Sequence, residues 1–266
     1  MTSGEWRFLQ LEYPDARRNL AAEEAIFEAV GEGIAPPTVR LWRNPRTVIL
    51  GRFQHPLLEV DFEACSRYGV AIVRRFTGGG AVFQDLRNLN WSFFMPNSSV
   101  PIDLVEVYRR CSIAIIRGLS FLGVNANYEP PNIIRIGGLK LSGMAACKRR
   151  RATLCHGTLL INSDLDILRE VLNQTKAMNS SKYIRSKVRA VTNLTKALGK
   201  SVSISKVKQA LVKGIEEVYG VHLNHQSLLP EEGEKTRRLY DAFPRSMDWV
   251  YSRHIISVHS DTGVQQ

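Results

Sequence analysis

Apolar residues recur every three or four positions between residues 103 and 123, the spacing that places them on one face of an α-helix. Asp103 stands where a helix N-cap belongs, and Gly123 stands where a left-handed C-terminal residue belongs. The apolar stripe consists of Leu104, Val107, Cys111, Ile115, Leu119 and Leu122. It predicts a helix that packs against the core rather than one that carries a cofactor.

Similar end signals predict the other helices. One helix is expected to begin at Asn19 as its N-cap, to hold Glu23 and Glu24 in its first turn, and to end at Gly31 or Gly33. Cap residues and closing glycines predict further helices over residues 61–69, 164–172, 203–220 and 231–243.

Short runs rich in β-branched and aromatic residues predict strands. They cover residues 6–13, 38–43, 47–51, 70–74, 81–83, 90–95, 133–136, 139–145 and 153–161. Asn44-Pro45 predicts a hairpin between the second and third of these strands, and Gly137-Gly138 predicts another. Strands mixed with helices and several hairpins predict an α/β (α+β) fold with a mixed, partly antiparallel sheet flanked by helices.

Composition narrows the class of protein. The 266 residues, 44% of them hydrophobic, are enough for one large globular domain. No stretch reaches the roughly 18 apolar residues of a membrane span, and the first residues lack the pattern of a signal peptide. We therefore expect a cytoplasmic protein without membrane association. The four cysteines have no paired spacing, which argues against a zinc site or a disulfide framework.

The chain is basic, with a formal charge of +11. Such a balance favours an acidic protein partner, a nucleic acid or a polyanionic small substrate, and charge alone does not choose among them. The bias is strongest over residues 140–151, which contain five cations and no acid. A solvated basic loop is the plainer interpretation of this run.

Residues 74–83 form the most informative motif, because two arginines run into three consecutive glycines between apolar residues. Glycines are concentrated where the backbone needs positive φ or approaches a ligand closely, and guanidinium groups suit phosphate oxygens. The motif lacks the Gly-Lys-Ser/Thr of a P-loop and the spaced glycines of a dinucleotide fold. It predicts an anion site, and a simple hairpin turn between residues 70–74 and 81–83 is the alternative.

Residues 74–83, 140–145 and 156–160 together resemble the lipoate-protein ligase A family, in particular its archaeal short form without a C-terminal accessory domain. Further segments similar to the sequences of that family lie at residues 41–44, 48–54, 185–188 and 191–194, so the resemblance covers about residues 6 to 250. The joint occurrence is specific although each piece alone is not. The resemblance implies a catalytic domain related to biotin ligases and class II aminoacyl-tRNA synthetases.

The activity that the resemblance implies has two halves. Lipoate and ATP, with Mg²⁺, give lipoyl-adenylate and pyrophosphate. A lysine of an acceptor protein, either a lipoyl domain or a glycine-cleavage H-type protein, then attacks the mixed anhydride. A carboxylate that attacks an α-phosphate brings two anions together, so such a site needs fixed positive charge.

The resemblance also assigns roles to residues. Lys140 is the catalytic cation that contacts the carboxyl or phosphate oxygens, whereas an exposed hairpin lysine is the ordinary alternative. The residues implied to wrap the acyl carbonyl and phosphate, or to line the neighbouring wall, are Arg74, Gly78, Gly79, Gly80, Ala81, Val82 and Phe83.

On the opposite side, Gly143 and Ala145 keep a strand thin, and His156 and Gly157 lie beside an apolar acyl tunnel. A core histidine with satisfied hydrogen bonds is the alternative for His156. The tunnel stabilises the alkyl chain by roughly 0.8 kcal/mol per buried methylene.

Three positions depart from the family pattern. Gln84 stands where His is usual, Arg87 where Gly is usual, and Pro131-Asn132 where Asn-Asp is usual. The last departure replaces a carboxylate that helps to place Mg²⁺, and the amide of Asn132 is a weaker ligand for a hard cation. Adenylation that is slow or that depends on a partner is the expected consequence.

The resemblance also implies a domain organisation. Residues 1–253 form the catalytic domain, residues 254–266 form a loosely ordered tail, and no accessory domain follows. Some archaeal relatives supply that domain as a separate protein, so we expect a separate accessory subunit as a partner.

Three rival interpretations stay open. An octanoyltransferase of the same fold uses a cysteine nucleophile, but its two known places correspond here to residues 128–133 and to the neighbourhood of residue 173, which contain no cysteine. A biotin ligase carries a different glycine loop. A nucleic-acid-binding protein with a decayed site fits the charge, but aromatic residues are not interleaved with the basic run.

Overall fold

In the computed structural model, the described residues are 4–149, 151–172, 183–187 and 189–242. The predicted tail over residues 254–266 therefore lies outside the described residues, as do residues 173 and 188. The strands are β1 Gly4–Leu9, β2 Thr38–Trp42, β3 Thr47–Leu50, β4 Ala71–Arg74, β5 Val82–Gln84, β6 Asn88–Pro96, β7 Asn127–Glu129, β8 Ile133–Ile136, β9 Leu139–Arg149, β10 Ala152–Leu160 and β11 Val221–His225. The helices are α1 Ala16–Gly31, α2 Pro56–Glu59, α3 Phe62–Arg67, α4 Leu104–Ser120, α5 Leu165–Val171, α6 Leu194–Leu198, α7 Ile204–Tyr219 and α8 Pro230–Ala242.

A large mixed sheet organises the fold. Its strand order is β11-β1-β2-β6-β10-β9-β8-β7. The pairs β11–β1 and β1–β2 are parallel, and the remaining neighbours are antiparallel. The predicted fold class, a mixed and partly antiparallel sheet flanked by helices, is confirmed.

Helices cover both faces of this sheet. On one face, α4 and α7 pack against a core that includes Trp91 and Phe93. These two helices cross closely because small residues meet there: a methyl group on Gly214 would lie 2.2 Å from the backbone nitrogen of Gly118. On the other face, α1 packs against β6 and β10 through residues that include Phe27. No helix in the described ranges combines the length and apolar content that crossing a bilayer requires.

A second, three-stranded sheet has the order β4-β3-β5. Its central strand β3 pairs parallel with β4 and antiparallel with β5. The glycine run at residues 78–80 therefore does not close a hairpin, because the strands on its two sides flank a third strand. The hairpin predicted at Asn44-Pro45 is also wrong, because β2 belongs to the large sheet and β3 to the small one. The hairpin at Gly137-Gly138 is confirmed.

The start of α1 differs from the prediction. Asp15 is the N-cap, and its side chain accepts a hydrogen bond from the backbone nitrogen of Arg17. Asn19 lies inside the helix, fully buried, and its side chain bonds the backbone of Tyr13 instead. Helix α1 thus begins one turn earlier than expected, and Asn19 is available for a buried polar network.

A buried ion pair joins strand β1 to helix α8. Arg7 of β1 donates from Nη1 to Glu232 Oε2 of α8 at 2.7 Å and also contacts Oε1, and both side chains are fully buried. Replacing Glu232 with alanine would leave a buried guanidinium without its carboxylate. We expect the free energy of unfolding to fall by about 3 to 5 kcal/mol.

Urea unfolding, followed by circular dichroism, measures this loss. The matched control is Glu231→Ala, which changes an exposed carboxylate on the same helix and is expected to alter stability by less than about 0.5 kcal/mol. Equal effects of the two variants would contradict the structural role of the pair.

Candidate functional site

A slot of about 350 Å³ opens between the large sheet, the small sheet and α1. Its floor is formed by the large sheet, and Ile49, Val82 and Leu20 cover it from the small sheet and the helix. The remaining lining residues include Glu23, Trp42, Arg75, Gly80, Ala81, Gln84, Asn90, Ser92, Pro131, Asn132, Lys140, Gly143, Ala145, His156, Gly157, Thr158, Arg185, Ser186, Lys187 and Arg189.

The slot runs across the strands of the large sheet. Gly143 pairs with Thr158, Thr158 pairs with Asn90, and Asn90 pairs with Trp42, so these four residues form one row across β9, β10, β6 and β2. Three strand spacings correspond to about 14 Å. One end of this row, at Gly143, lies beside Lys140, and the other end is Trp42. The lining between them combines apolar residues, among them Ile49 and Val82, with polar ones. The shape suits an extended alkyl chain.

Lys140 stands at the open end of the slot, next to a bulge between β8 and β9. Its backbone bonds residues 190 and 192, which hold the strand in place. A methyl group on Gly143 would lie 2.5 Å from Lys140 Nζ, so the absence of a side chain at Gly143 gives the ammonium its position. Within the described parts of the chain, this ammonium has neither an ion pair nor a hydrogen bond.

The charge around Lys140 is positive. Burial, together with the charges of Arg189 and Arg135, lowers the pKa of Lys140. The other cations that line the slot are Arg75, Arg185, Lys187 and Arg189, while Glu23 is the sole carboxylate among the described lining residues. A half-buried ammonium without a counter-ion, beside further cations, is a site for an anionic ligand.

The glycine loop is folded around Arg75, not around Arg74. Arg75 donates from Nη2 to the carbonyl oxygens of Gly78 at 2.6 Å and Gly80 at 2.9 Å. Gly79 has a φ of 92°, in the region that favours glycine. A methyl group on Gly51 would lie only 2.0 Å from the carbonyl oxygen of Gly79, so β3 and the loop touch through their backbones.

Several residues that the sequence assigned to the site lie outside the slot. Arg74 is buried and donates to the carbonyl oxygens of Gly51 and Gln54, each at 2.8 Å. Phe83 packs in the core beneath the small sheet, because alternate residues of a strand face opposite sides. Gly78 and Gly79 shape the loop without lining the slot, whereas the lining includes the other assigned residues: Gly80, Ala81, Val82, Asn132, Lys140, Gly143, Ala145, His156 and Gly157.

Burial lowers the pKa of Arg75 to about 10, and the charge of Glu23 opposes this effect. The guanidinium therefore stays protonated at neutral pH. Because it bonds the loop carbonyls internally, its main structural effect is to fix the loop at the edge of the slot.

His156 joins the glycine loop to α1. Its Nδ1 lies 2.9 Å from Glu23 Oε1, and its Nε2 lies 2.9 Å from Thr77 Oγ1. Burial raises the pKa of Glu23, but contacts with His156 and Ser92 and the charge of Arg40 outweigh this effect, and the pKa is lowered. His156 thus lines the slot and also has both ring nitrogens engaged with the protein, so its role toward a ligand stays a prediction.

Gly157 lines the slot with its backbone, and a side chain at this position would point toward Trp91. A methyl group there would lie 2.4 Å from the Trp91 ring and 2.9 Å from the carbonyl oxygen of Gly143. The absence of a side chain at Gly157 therefore leaves room for the Trp91 indole, which belongs to the main core.

The described residues provide no cluster of side chains that would hold a magnesium ion without a ligand such as a phosphate. They contain no group of three or more His, Cys, Asp or Glu side chains that could hold a metal. Glu23 is engaged with His156 and Ser92. Asn132 donates from Nδ2 to the carbonyl oxygen of Met144 at 2.7 Å, so it offers at most one amide oxygen, a weak ligand for Mg²⁺.

The other two departures from the family pattern differ in position. Gln84 lines the slot near Trp42. Arg87 lies outside the slot and donates to Asp164 at the surface, at 3.2 Å. Of the departing residues, Gln84, Pro131 and Asn132 line the slot and can affect a bound ligand directly, whereas Arg87 does not line it.

Sequence reasoning missed Arg75 and Glu23 as site residues. The sequence assigned the neighbouring Arg74 to the site instead. The alternation of side chains along a strand did not by itself show which of the two arginines turns toward the loop. Glu23 looked like an ordinary acidic residue of a first helical turn. With the helix start placed correctly at Asp15, Glu23 falls in the middle of α1 rather than in its first turn. A carboxylate at a buried position in the middle of a helix would then have indicated a site residue.

The lowered pKa of Lys140 predicts a pH dependence of anion binding. Sulfate keeps its charge over the range tested, so only the protein titrates. We expect sulfate affinity to fall as the pH rises, starting at a lower pH than the range near a pKa of about 10.4 in which an exposed lysine loses its charge, because burial and the neighbouring cations lower the pKa of Lys140. Calorimetric titration measures the sulfate affinity at each pH. Lys140→Met should bind sulfate weakly, and its affinity should change less with pH than that of the wild type. An identical profile for both proteins would contradict the site.

A family model described as "Lipoyl protein ligase A/B catalytic domain" matches residues 15–216. A protein named lipoate-protein ligase A subunit 1, from Thermoplasma acidophilum, is 32% identical over 256 residues, which cover 92% of this chain and 96% of that protein. A protein named octanoyltransferase LipM, from Geobacillus kaustophilus, is 29% identical and covers 93% of this chain and 98% of that protein.

Solved structures are similar as well. A structure from a study of a bi-partite lipoate protein ligase and its E2 lipoyl domain, from Thermoplasma acidophilum, is 30% identical with a TM-score of 0.83, covering 96% of this chain and 99% of that chain. A lipoate-protein ligase A bound with ATP is 32% identical with a TM-score of 0.77, covering 90% and 95%. A putative lipoate protein ligase from T. acidophilum with bound lipoic acid is 31% identical with a TM-score of 0.77, covering 89% and 95%.

Proposed function

The chain belongs to the lipoyl protein ligase A/B catalytic domain family, and from that premise we propose that it is a lipoate-protein ligase. It would activate lipoate with ATP to lipoyl-adenylate and then transfer the lipoyl group to a lysine of an acceptor protein. The observation that carries this proposal is the ammonium of Lys140, which has no ion pair or hydrogen bond within the described residues and lies at one end of a slot partly lined by apolar side chains, beside a backbone loop fixed by Arg75. Relatives bound to lipoic acid and to ATP support it.

The first half-reaction joins two anions. The carboxylate of lipoate attacks the α-phosphorus of ATP, an oxygen–phosphorus bond forms, and pyrophosphate leaves. Lys140 faces the place where the carboxylate and the phosphate meet, and its charge offsets their repulsion and the charge that develops at the phosphoryl oxygens. Because no anion of the described residues neutralises Lys140 in advance, its full attraction is available to the ligand.

The alkyl chain determines the position of the reacting carboxylate. The apolar lining by Leu20, Ile49 and Val82 stabilises a hydrocarbon chain, at roughly 0.8 kcal/mol per buried methylene. Trp42 limits how deep the chain can enter. Binding energy from this remote part of the substrate therefore holds the carboxylate next to Lys140.

The second half-reaction transfers the acyl group. A neutral lysine amine of the acceptor attacks the carbonyl carbon, the bond to the phosphate oxygen breaks, and AMP leaves. The negative charge that develops on the leaving phosphate is stabilised by the same ammonium of Lys140. One cation thus serves both halves.

The proposed acceptor is a lipoyl domain or an H-type protein, and the proposed partner is a separate accessory subunit. The similarity to a subunit of a bi-partite ligase that was studied with an E2 lipoyl domain supports both. The basic rim of Lys187 and Arg189 would attract an acidic acceptor surface. Adenylation by this chain alone would be slow because Asn132 stands where the family pattern has a carboxylate that helps to place Mg²⁺.

An octanoyltransferase is the second candidate, because some relatives carry that name. That reaction needs a reactive thiolate near the acyl group. None of the four cysteines lines the slot. Burial raises the pKa of Cys65 to about 12 and also raises the pKa of Cys147. The cysteines therefore favour the ligase over a thioester mechanism.

One assay separates the possibilities. The purified chain is mixed with a lipoyl domain and with either lipoate plus MgATP, ready-made lipoyl-adenylate, or octanoyl acyl carrier protein, and the acceptor mass is measured. Modification from lipoyl-adenylate is expected, with slow or no modification from lipoate plus MgATP until an accessory subunit is added. Modification from the octanoyl carrier alone would overturn the ligase assignment, and fast modification from lipoate plus MgATP would overturn the need for a subunit.

A further inference from the structure

A directed chain of hydrogen bonds ends at the closed end of the slot. Arg40 donates from Nη2 to Asn19 Oδ1 at 2.8 Å, and the backbone nitrogen of Tyr13 donates to the same oxygen at 2.8 Å. Both donors are fixed, so Asn19 must use its Nδ2 for the next bond, to Asn44 Oδ1 at 2.8 Å. Asn44 in turn donates from Nδ2 to Gln84 Oε1, also at 2.8 Å.

A second branch reaches the same oxygen. Asn88 donates from Nδ2 to Asn90 Oδ1, and Asn90 donates from Nδ2 to Gln84 Oε1, each at 2.9 Å. With two donors converging on it, the oxygen of Gln84 cannot be exchanged with the nitrogen without breaking both branches. The orientation of the Gln84 amide is therefore determined by Arg40, three residues away along the chain of bonds.

Gln84 presents its nitrogen to the slot. The residue is only 4% exposed and lines the cavity. Its Nε2 has no acceptor among the described residues. Gln84 lies near Trp42, because it bonds Asn90, which is the strand partner of Trp42. A donor without an acceptor among the described residues therefore stands at the Trp42 end of the slot, two to three strand spacings, or about 9 to 14 Å, from Gly143, which lies beside Lys140.

An acyl chain that fills the slot would shield this donor from water. A plain alkyl end would leave the donor without any acceptor, which is costly for a buried polar group. A dithiolane ring places two sulfur atoms there, and sulfur accepts hydrogen bonds, though weakly. We propose that Gln84 is a specificity-determining residue whose Nε2 donates to the dithiolane of lipoate, so that the slot selects lipoate over plain alkyl acids. This inference rests on the proposed function.

Two ligands of the same shape test the proposal. Lipoate and 5-cyclopentylpentanoate have the same chain and a five-membered ring, but only lipoate has ring sulfurs. Their affinities for the wild-type chain and for Gln84→Met are measured by calorimetry. We expect the wild type to prefer lipoate about 10-fold and the variant to bind both within about 2-fold, since methionine fills similar space without the donor.

The control is Gln226→Met, the same substitution at an exposed position, which should retain the wild-type preference. If Gln84→Met does not fold, the wild-type comparison still decides: equal affinities for the two ligands would overturn the proposal. So would an equal loss of affinity for both ligands in the variant. Failure of the wild type to bind either ligand would overturn the proposed function as well, so the two failures are distinguishable.

Discussion

Replacing Lys140 with methionine is expected to reduce lipoyl transfer from ready-made lipoyl-adenylate by about 10² to 10³-fold. Methionine has a similar length but no charge, so it removes the attraction for the phosphate and leaves the apolar part of the slot intact. The side chain has no ion pair or hydrogen bond within the described ranges. Its loss therefore breaks no internal bond.

The stability of this variant is the informative companion measurement. Burial and the charges of Arg189 and Arg135 lower the pKa of Lys140, which means that the folded protein holds this proton less tightly than the unfolded chain does. The charged lysine thus costs stability below its folded pKa, and the methionine variant should be at least as stable as the wild type at neutral pH.

Lys148→Met is the matched control. Lys148 lies on the same strand but donates to the carbonyl oxygen of Pro101 at 3.3 Å and does not line the slot. It should keep lipoyl transfer within about 2-fold of the wild type. If Lys140→Met retained transfer at that level, the central role of the ammonium would be excluded.

Gly143→Ala is expected to reduce transfer by about 100-fold without unfolding the protein. The new methyl group would lie 2.5 Å from Lys140 Nζ and 2.6 Å from its Cε. The lysine end is flexible and has to move, whereas the backbone does not. A displacement of about 1 Å of a catalytic group can cost about 10²-fold in rate.

The control for Gly143→Ala is Gly233→Ala, which places a methyl group in α8 where, apart from the helix's own backbone and the two chain neighbours, no atom of the described residues lies within 4 Å. That variant should keep full transfer and should stabilise the chain by about 0.5 to 1 kcal/mol. Thermal unfolding and the acceptor mass are measured for both variants. A Gly143→Ala protein with wild-type transfer would show that Lys140 does not need its observed position.

Local signals predicted the elements whose ends are set by a single residue. Helix α7 begins after Ser203 and ends before Gly220, as predicted, because Ser203 accepts from Lys206 and Gly220 adopts a left-handed conformation. The turn at Gly137-Gly138 was predictable for the same reason, since both residues have positive φ. These features depend on a few neighbouring residues and on nothing distant.

Features that depend on distant partners were not predictable in the same way. The alternation of apolar and polar residues shows that a segment is a strand but not which sheet it joins. For that reason β2 and β3 were wrongly predicted to pair. Asn19 fits an N-cap as well as a buried hydrogen-bond relay, and only Arg40 and Asn44 show which of the two it serves. Likewise the choice between Arg74 and Arg75 depended on where the loop carbonyls lie.

The candidate site was predicted best where the motif residues face the slot directly, as at Gly80, Lys140, Gly143 and Ala145. Their proposed roles stay predictions until a ligand is observed. Gln84 was singled out only as a departure from the family pattern. Its position at the end of a directed hydrogen-bond chain is a property of the folded protein that no local stretch of sequence contains.

The structure of this chain with a non-hydrolysable lipoyl-adenylate analogue tests the central claim most directly. The account predicts an acyl chain that crosses β9, β10 and β6 toward Trp42, with the phosphate in contact with Lys140 Nζ and next to the loop of Gly80. An analogue bound elsewhere on the protein, or bound in the slot with its phosphate away from Lys140, would contradict it.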